Sequence, residues 1–308
     1  MTPSADAAAR APSAAPTGLR IWVAAARPRT LTASAVPVAV GSAVAAQLGA
    51  FRAGPAAAAM AGALFIQIGT NLVNDYADFK RGADTPDRLG PPRATAQGWV
   101  TAQSVLKGAM LCFAAAAVLG AYLIAEGGWP ILAIGLTSLA AGWAYTAGPY
   151  PLAYHGLGDA FVFVFFGLVS VLGTVWVEAG RLTPLAWVAA VPVGALATAL
   201  LVVNNLRDIP TDARVGKRTL AVRLGPRLTR AEYVLLLLMA FAAPPLMVLF
   251  LQAPMASLWA LAALPLAVTP VRTVLTSHGT ALNAALAGTA RLQLAFGGLL
   301  TAGLWLGR

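Results

Sequence analysis

Two groups of oxygen-bearing side chains mark where this chain could do chemistry. The first is Asn71, Asn74, Asp75 and Asp78, with Asp84 following Gly82. On a helix, positions 71, 74, 75 and 78 fall at i, i+3, i+4 and i+7, so two amides and two carboxylates share a face. The second group is Asn204, Asp208 and Asp212, at i, i+4 and i+8, with Pro210 expected to remove the hydrogen bond to Leu206 and bend the segment. Both groups close apolar runs of membrane-spanning length, where polar groups are costly unless paired. Clustered oxygens call for a cation. Hard oxygen donors favour Mg²⁺, which keeps waters and shares its shell with phosphate oxygens. The candidate ligands are Asn74, Asp75, Asp78, Asp84, Asn204, Asp208 and Asp212.

Basic residues stand beside both groups: Lys80 and Arg81 near the first, and Arg207, Lys217 and Arg218 near the second. Acids and bases mixed in this way suit a Mg²⁺–diphosphate complex; interhelical salt bridges and topogenic loop charge are the plainer alternatives. The groups also form a weak repeat that aligns Asn74 with Asn204 and Asp78 with Asp208. In that register Asn71 meets Leu201 and Asp75 meets Asn205, so Asn74 and Asp78 are the strongest ligands of the first group. Gly216-Lys217-Arg218-Thr219 lacks the first glycine of a phosphate-binding loop, and no strand precedes it, so that motif is rejected.

The elements that must hold these residues are membrane helices. Of 308 residues, 59% are hydrophobic and only 10% are charged, against about 25% charged in soluble domains. Segments of spanning length lie at 30–50, 55–75, 101–125, 129–146, 159–178, 185–205, 232–253, 255–275 and 284–306. The expected fold is therefore an all-α integral membrane protein of nine transmembrane helices, with 21–308 as one domain. Residues 1–20, rich in Ala, Pro, Ser and Thr, are expected to be a disordered cytoplasmic tail rather than a signal peptide.

The formal charge of +10 does not point to nucleic acid, because no separate basic domain exists to bind it. All but Arg52, Arg181 and Arg308 of the 21 lysines and arginines fall on one side of the nine spans. That side should be cytoplasmic, with the N-terminus, both acidic groups and the long loops 76–100 and 206–231, leaving the C-terminus outside. The single cysteine, Cys112, lies in an apolar run and reads as a small buried hydrophobe.

Asn74-Asp75-Tyr76-x-Asp78-x-x-x-Gly82-x-Asp84 and Asn204-Asn205-x-Arg207-Asp208-x-x-x-Asp212-x-x-x-Gly216-Lys217-Arg218-Thr219 resemble the paired signatures of UbiA-type intramembrane prenyltransferases. Residues 204–225 resemble most the MenA-type branch, which prenylates 1,4-dihydroxy-2-naphthoate in menaquinone synthesis. Arg27-Pro28-Arg29-Thr30-Leu31, Gly90-Pro91-Pro92-Arg93, and Tyr145-Thr146-Ala147-Gly148-Pro149-Tyr150 through Gly156-Leu157-Gly158-Asp159 agree with that branch. The similarity covers residues 20 to 306. It implies helices around a central cavity in a cell membrane, a polyprenyl diphosphate donor, an aromatic acceptor that loses its carboxylate as CO2, and a demethylmenaquinol product.

On that resemblance, Mg²⁺ held by Asn74, Asp78, Asp208 and Asp212 neutralises the leaving diphosphate. Lys80, Arg81, Arg93, Arg207, Lys217 and Arg218 are the candidates to bind its oxygens. Tyr145, Tyr150 and Tyr76 are candidates to face an allylic cation, or are simply core and interfacial aromatics. Arg27 and Arg29 either hold the acceptor carboxylate or anchor the first span. Asp159 either takes a proton from an acceptor hydroxyl or caps a helix. His155 reads as a solvated loop histidine. Other acceptors, such as 4-hydroxybenzoate or homogentisate, are the alternative within this chemistry; a cation-coupled secondary transporter is the alternative outside it.

Overall fold

In the computed structural model, residues 17–84 and 89–307 are described. Most of the expected tail thus lies outside the described residues, and helix α1 (Leu19–Ala26) already begins at Leu19. A turn of 3-10 helix at Pro28–Thr30 leads into α2 (Thr32–Gln47), with a 54° bend between the two arms. There follow α3 (Ala53–Lys80), α4 (Ala102–Gly127) and α5 (Trp129–Ala144). Helix α6 (Gly158–Val162) runs through a π-helical segment, Phe163–Val169, into α7 (Ser170–Ala179). The long helices α8 (Pro184–Arg214) and α9 (Leu220–Leu251) come next. A 3-10 segment at Met255–Ala263 leads into α10 (Leu264–Thr276), and α11 (Leu282–Leu306) ends the chain.

Every expected span coincides with a helical segment, and no strand occurs among the described residues. Six helices are long and apolar enough to cross a membrane, or seven if the bent α1–α2 pair is one span. Helix α5 has 16 residues, short of the ~20 a bilayer asks for. The expected number of nine therefore exceeds what length and apolarity establish.

Helix α8 is the axis of the bundle. Its membrane window is 78% buried, and its Val, Leu and Ala side chains meet those of α2, α7, α9 and α11 in one core. Small residues allow the helices close approach. A Cβ on Gly167 would stand 2.7 Å from the Cα of Gly194, so the π segment and α8 touch backbone to backbone. A second, smaller cluster packs α1, α3 and α4 against the loop at 94–100.

The first expected loop keeps nearly its expected extent, between Lys80 and Ala102, but the second is much shorter than the apolar pattern implied. Helix α8 continues past Pro210 to Arg214, and α9 starts at Leu220, leaving 215–219 as the link. Pro210 does not end the helix. Gly225 (φ 75°, ψ 171°), followed by Pro226, interrupts α9 one turn after its start. The apolar run marks the membrane's thickness; these helices extend beyond it.

Candidate active site

A cavity of about 560 Å³ runs inside the bundle between α2, α3, α4, α5, the α6–α7 segment and α8. Its far end is apolar, reaching Ala59, Ile124, Ile131 and Val177. Its near end is polar, with Asn74, Asp78, Arg93, Asp159, Asn204 and Lys217 in the wall.

Asp78 belongs to the last turn of α3. The helix stops at Gly82 (φ 67°), whose N–H donates to Phe79 O (3.0 Å), while Ala83 N–H donates to Asp78 O (2.9 Å). These two bonds are a Schellman stop, which needs the left-handed glycine. The Asp78 carboxylate accepts from Arg93 Nη2 (2.7 Å) and from the Tyr154 hydroxyl (2.9 Å). Arg93 Nε also stands 3.4 Å from Asp84 Oδ1, so the chain does fold Asp84 back after Gly82. One turn earlier, Asn74 Oδ1 accepts from the Thr146 hydroxyl at 2.5 Å.

Asp75 does not join this group. Its oxygens accept from Ala94 N–H (3.0 Å), Thr95 N–H (3.4 Å) and the Thr95 hydroxyl, pinning the loop to the outside of α3. Its expected role as a metal ligand is corrected: the carboxylate is already spent on backbone donors and does not line the cavity. Asn71 lines the cavity but is tied to the α1–α2 elbow, donating to Ala26 O (2.9 Å) and Thr30 Oγ1 (3.0 Å).

The second acidic group sits at the end of α8. Asp212 O accepts from Lys217 N–H (2.9 Å) across Gly216 (φ 73°), the same stop as in α3. Lys217 Nζ is 3.6 Å from Asp212 Oδ1, and Asp212 Oδ2 is buried without a hydrogen-bond partner. Asp208 is held by Arg207 through Nε (2.8 Å) and Nη2 (2.6 Å).

Arg207 also donates to Asn204 Oδ1 (2.8 Å) and Asn283 Oδ1 (2.7 Å), and Gly90 of the first loop covers it. At 1% exposure, Arg207 orients Asp208 and Asn204 and is not an open diphosphate ligand.

Three other expected diphosphate contacts also move. Lys80 and Arg218 are exposed and absent from the cavity wall. Arg81 donates to the carbonyls of Thr146 and Gly148 and stands 5.2 Å from the centre of the Tyr154 ring, bracing the turn after α5. Arg93 and Lys217 do line the cavity.

Tyr145, Asp159 and Arg27 all line the cavity as expected. Asp159 is buried, and its Oδ2 has no hydrogen-bond partner. Tyr150 is exposed and stacks on His155, with ring centres 3.6 Å apart. Tyr76 packs in the smaller cluster; neither ring reaches the cavity. The aromatic wall is instead Phe161, Phe165 and Phe166 with Tyr145. The π-helical segment presents two of those phenylalanines.

Sequence reasoning gave no role to Tyr154. Burial, then the charge of Asp78 and its hydrogen bond, push the Tyr154 hydroxyl well above its ordinary pKa, while Arg81 opposes them. It therefore stays a neutral donor to Asp78. The only sequence signal was its place in a Pro/Gly-rich turn between two spans, which says little about direction.

The Tyr154 hydroxyl bonds Asp78, and Lys217 Nζ stands 5.6 Å from the Tyr154 ring and 3.6 Å from Asp212, so the two helix ends converge on that residue. Among the described residues, no three acids or histidines stand close enough to form a metal shell by themselves. The donor set nevertheless fits a hard cation shared with a ligand: two converging carboxylates, amides one turn behind, and the unpartnered Asp212 Oδ2.

A sequence model of the UbiA prenyltransferase family matches residues 34–304. The chain belongs to that family. This UbiA-family chain is 46% identical over 219 residues to the 1,4-dihydroxy-2-naphthoate octaprenyltransferase of Mycobacterium tuberculosis, covering 71% of this chain and 75% of the relative. It is 37% identical over 263 residues to the Escherichia coli enzyme of the same name, covering 82% and 84%. Among solved structures, a UbiA homolog from Aeropyrum pernix K1 superposes with a TM-score of 0.68 at 17% identity, covering 89% of this chain and 97% of that one. A UbiA homolog from Archaeoglobus fulgidus, bound to GPP and Mg²⁺, gives 0.63 at 15% identity, covering 91% and 99%. The helices long and apolar enough to span, together with the family, make the chain a multi-pass membrane protein.

Proposed function

We infer that this UbiA-family chain transfers a polyprenyl group from an allylic polyprenyl diphosphate to 1,4-dihydroxy-2-naphthoate. CO2 and diphosphate are lost, and a demethylmenaquinol forms in menaquinone biosynthesis. The observation that carries the chemistry is that Asp78, with Asn74, Asn204 and Lys217, lines the polar mouth of a long apolar cavity, while Asp212 stands behind that wall, 3.6 Å from Lys217 Nζ. The naphthoate branch is supported by the relatives' names. Acids at helix ends also fit a diphosphate site better than the broken helices of a transporter.

Asn74, Asp78, Asp208 and Asp212 would hold a Mg²⁺ ion, which when bound would supply the Lewis acidity that neutralises a departing diphosphate. Arg93 and Lys217, both in the cavity wall, offer charged donors to its oxygens. Tyr145, Phe161, Phe165 and Phe166 exclude water and present ring faces to the allylic cation. The prenyl tail lies in the apolar end, which needs no polar recognition. Arg27 and Arg29 hold the acceptor carboxylate at the elbow before α2. Asp159 Oδ2 receives the proton of an acceptor hydroxyl, which makes the ring a better nucleophile.

The topology that goes with this reading has nine crossings, with α5 and α11 joining the helices that span by length and apolarity. The Lys/Arg-rich face is then the cytoplasmic face of a cell membrane. The test is turnover by membranes containing the chain. Supplied with a polyprenyl diphosphate, Mg²⁺ and 1,4-dihydroxy-2-naphthoate, they should release CO2 and form the prenylated quinol. Conversion of 4-hydroxybenzoate instead would overturn the acceptor assignment.

A further inference from the structure

Ser34 is a hydroxyl left without a partner in the wall of the cavity. It is 2% exposed, its Oγ has no hydrogen-bond partner, and it lines the same cavity as Arg29, Gln67 and Asp159. Hydroxyls in helices usually satisfy themselves by donating to the carbonyl four residues earlier. Thr174, Thr198 and Thr289 do so here, at 2.8 to 2.9 Å. Ser34 does not, because the carbonyl four residues behind it belongs to Thr30, in the 3-10 elbow where the chain bends by 54°. The next carbonyl, Leu31 O, already accepts from the N–H groups of Ser34 and Ala35, both at 3.0 Å. Ser257 and Thr301 also lack partners, but neither lines the cavity. A buried hydroxyl with no partner carries a desolvation cost of about 1–3 kcal/mol. A ligand that offers it an oxygen removes that cost.

We propose that Ser34 determines acceptor specificity by hydrogen-bonding the ring hydroxyl remote from the acceptor's carboxylate. This rests on the reading that the acceptor is a dihydroxynaphthoate. In that molecule the 1-hydroxyl lies ortho to the carboxylate and hydrogen-bonds to it internally. The 4-hydroxyl has no such partner and must find one in the protein. With the carboxylate on Arg27 and Arg29 at the elbow, Ser34 lies on the first turn of α2 beyond it. Gln67 closes the same corner, its Nε2 donating to Thr30 Oγ1 at 3.3 Å.

The test compares the full chain with Ser34→Ala, using geranyl diphosphate, 1,4-dihydroxy-2-naphthoate, and 1-hydroxy-2-naphthoate as a competitor lacking the remote hydroxyl. In the wild type the competitor's Ki should exceed the acceptor's KM by about tenfold, the effect of one hydrogen bond. In Ser34→Ala the acceptor's KM should rise about tenfold, the competitor's Ki should stay put, and the two should become equal. The KM for geranyl diphosphate should not change. An unchanged acceptor KM in Ser34→Ala, or an equal rise for donor and acceptor, overturns the proposal. Failure of the wild type to convert the naphthoate at all would overturn the acceptor reading and this proposal together. That outcome is recognisable because it appears before any substitution is made.

Discussion

The ends of α3 and α8 are built on one plan and held in two ways. Each helix stops at a left-handed glycine, Gly82 or Gly216, and in each the carbonyl that closes the stop belongs to an aspartate, Asp78 or Asp212. The arginine that tends each end differs. Arg93 reaches Asp78 and Asp84 from a loop fifteen residues further on. Arg207 neighbours Asp208 on the same helix and is sealed by Asn204, Asn283 and Gly90. The first end is held by a group that itself lines the cavity and keeps its Nη1 without a hydrogen-bond partner. The second is held by a buried frame whose loss would leave a charge unpaired.

The comparison also shifts the internal repeat. Sequence similarity pairs Asp78 with Asp208; the helix stops pair Asp78 with Asp212, one turn later. If the stops define the functional register, Asp78→Ala and Asp212→Ala should each lower prenyl transfer at least about a thousandfold, the scale of losing a key electrostatic element. Thermal unfolding of Asp212→Ala should stay near wild type, and Asp78→Ala should melt lower only to the extent that Asp84 fails to keep Arg93 paired. Full activity in Asp212→Ala would restore the sequence register.

The frame at the second end should show itself next. Asp208→Ala should also abolish transfer, but it leaves Arg207 buried and unpaired, at a cost of about 3–5 kcal/mol. Folded yield and melting temperature should fall with activity, and further than for Asp78→Ala, where Asp84 still faces Arg93. Arg93→Met should act differently again, raising the KM for the prenyl diphosphate by about ten- to a hundredfold, with a lowered melting temperature because Asp78 and Asp84 lose their shared cation.

Smaller effects concern the tie between the two ends. Tyr154→Phe removes a hydrogen bond to a charged partner, worth about 1.5–3 kcal/mol. Its kcat deficit should be constant from pH 7 to 9, because Tyr154 stays protonated there. The sign follows from the raised pKa. The folded state keeps this proton where an unfolded tyrosine releases it, so burial of Tyr154 costs stability only as pH rises past the ordinary tyrosine pKa of about 10. A kcat deficit that grows between pH 7 and 9 would mean that the tyrosine ionises in the site. Gly82→Ala and Gly216→Ala should be mildest and alike, at about 1 kcal/mol each by urea denaturation.

The sequence carried the helices well, because apolar runs and clustered acids are local signals. Asn74, Asp78 and Asp159 could be picked out because uncompensated oxygens at the end of an apolar run need a partner. Direction was not legible. Asp75 and Asp78 are neighbours on α3, yet one faces the returning loop and the other the cavity. Only the loop's path decides which. Arg81, Arg93, Arg207 and Lys217 look equivalent in sequence; burial and distant partners such as Asn283 separate them. The extent of α8 was missed because apolarity reports the bilayer, whereas the backbone stays helical until Gly216.

Tyr154 joins what the two helix ends hold apart. Its hydroxyl is on Asp78, its carbonyl accepts from Arg218 N–H at 3.1 Å beyond the α8 stop, and Arg81 and Lys217 approach its ring. A single turn residue thus couples both jaws of the site. The two acidic ends are thereby tied into one unit, through hydrogen bonds to a single residue of the turn.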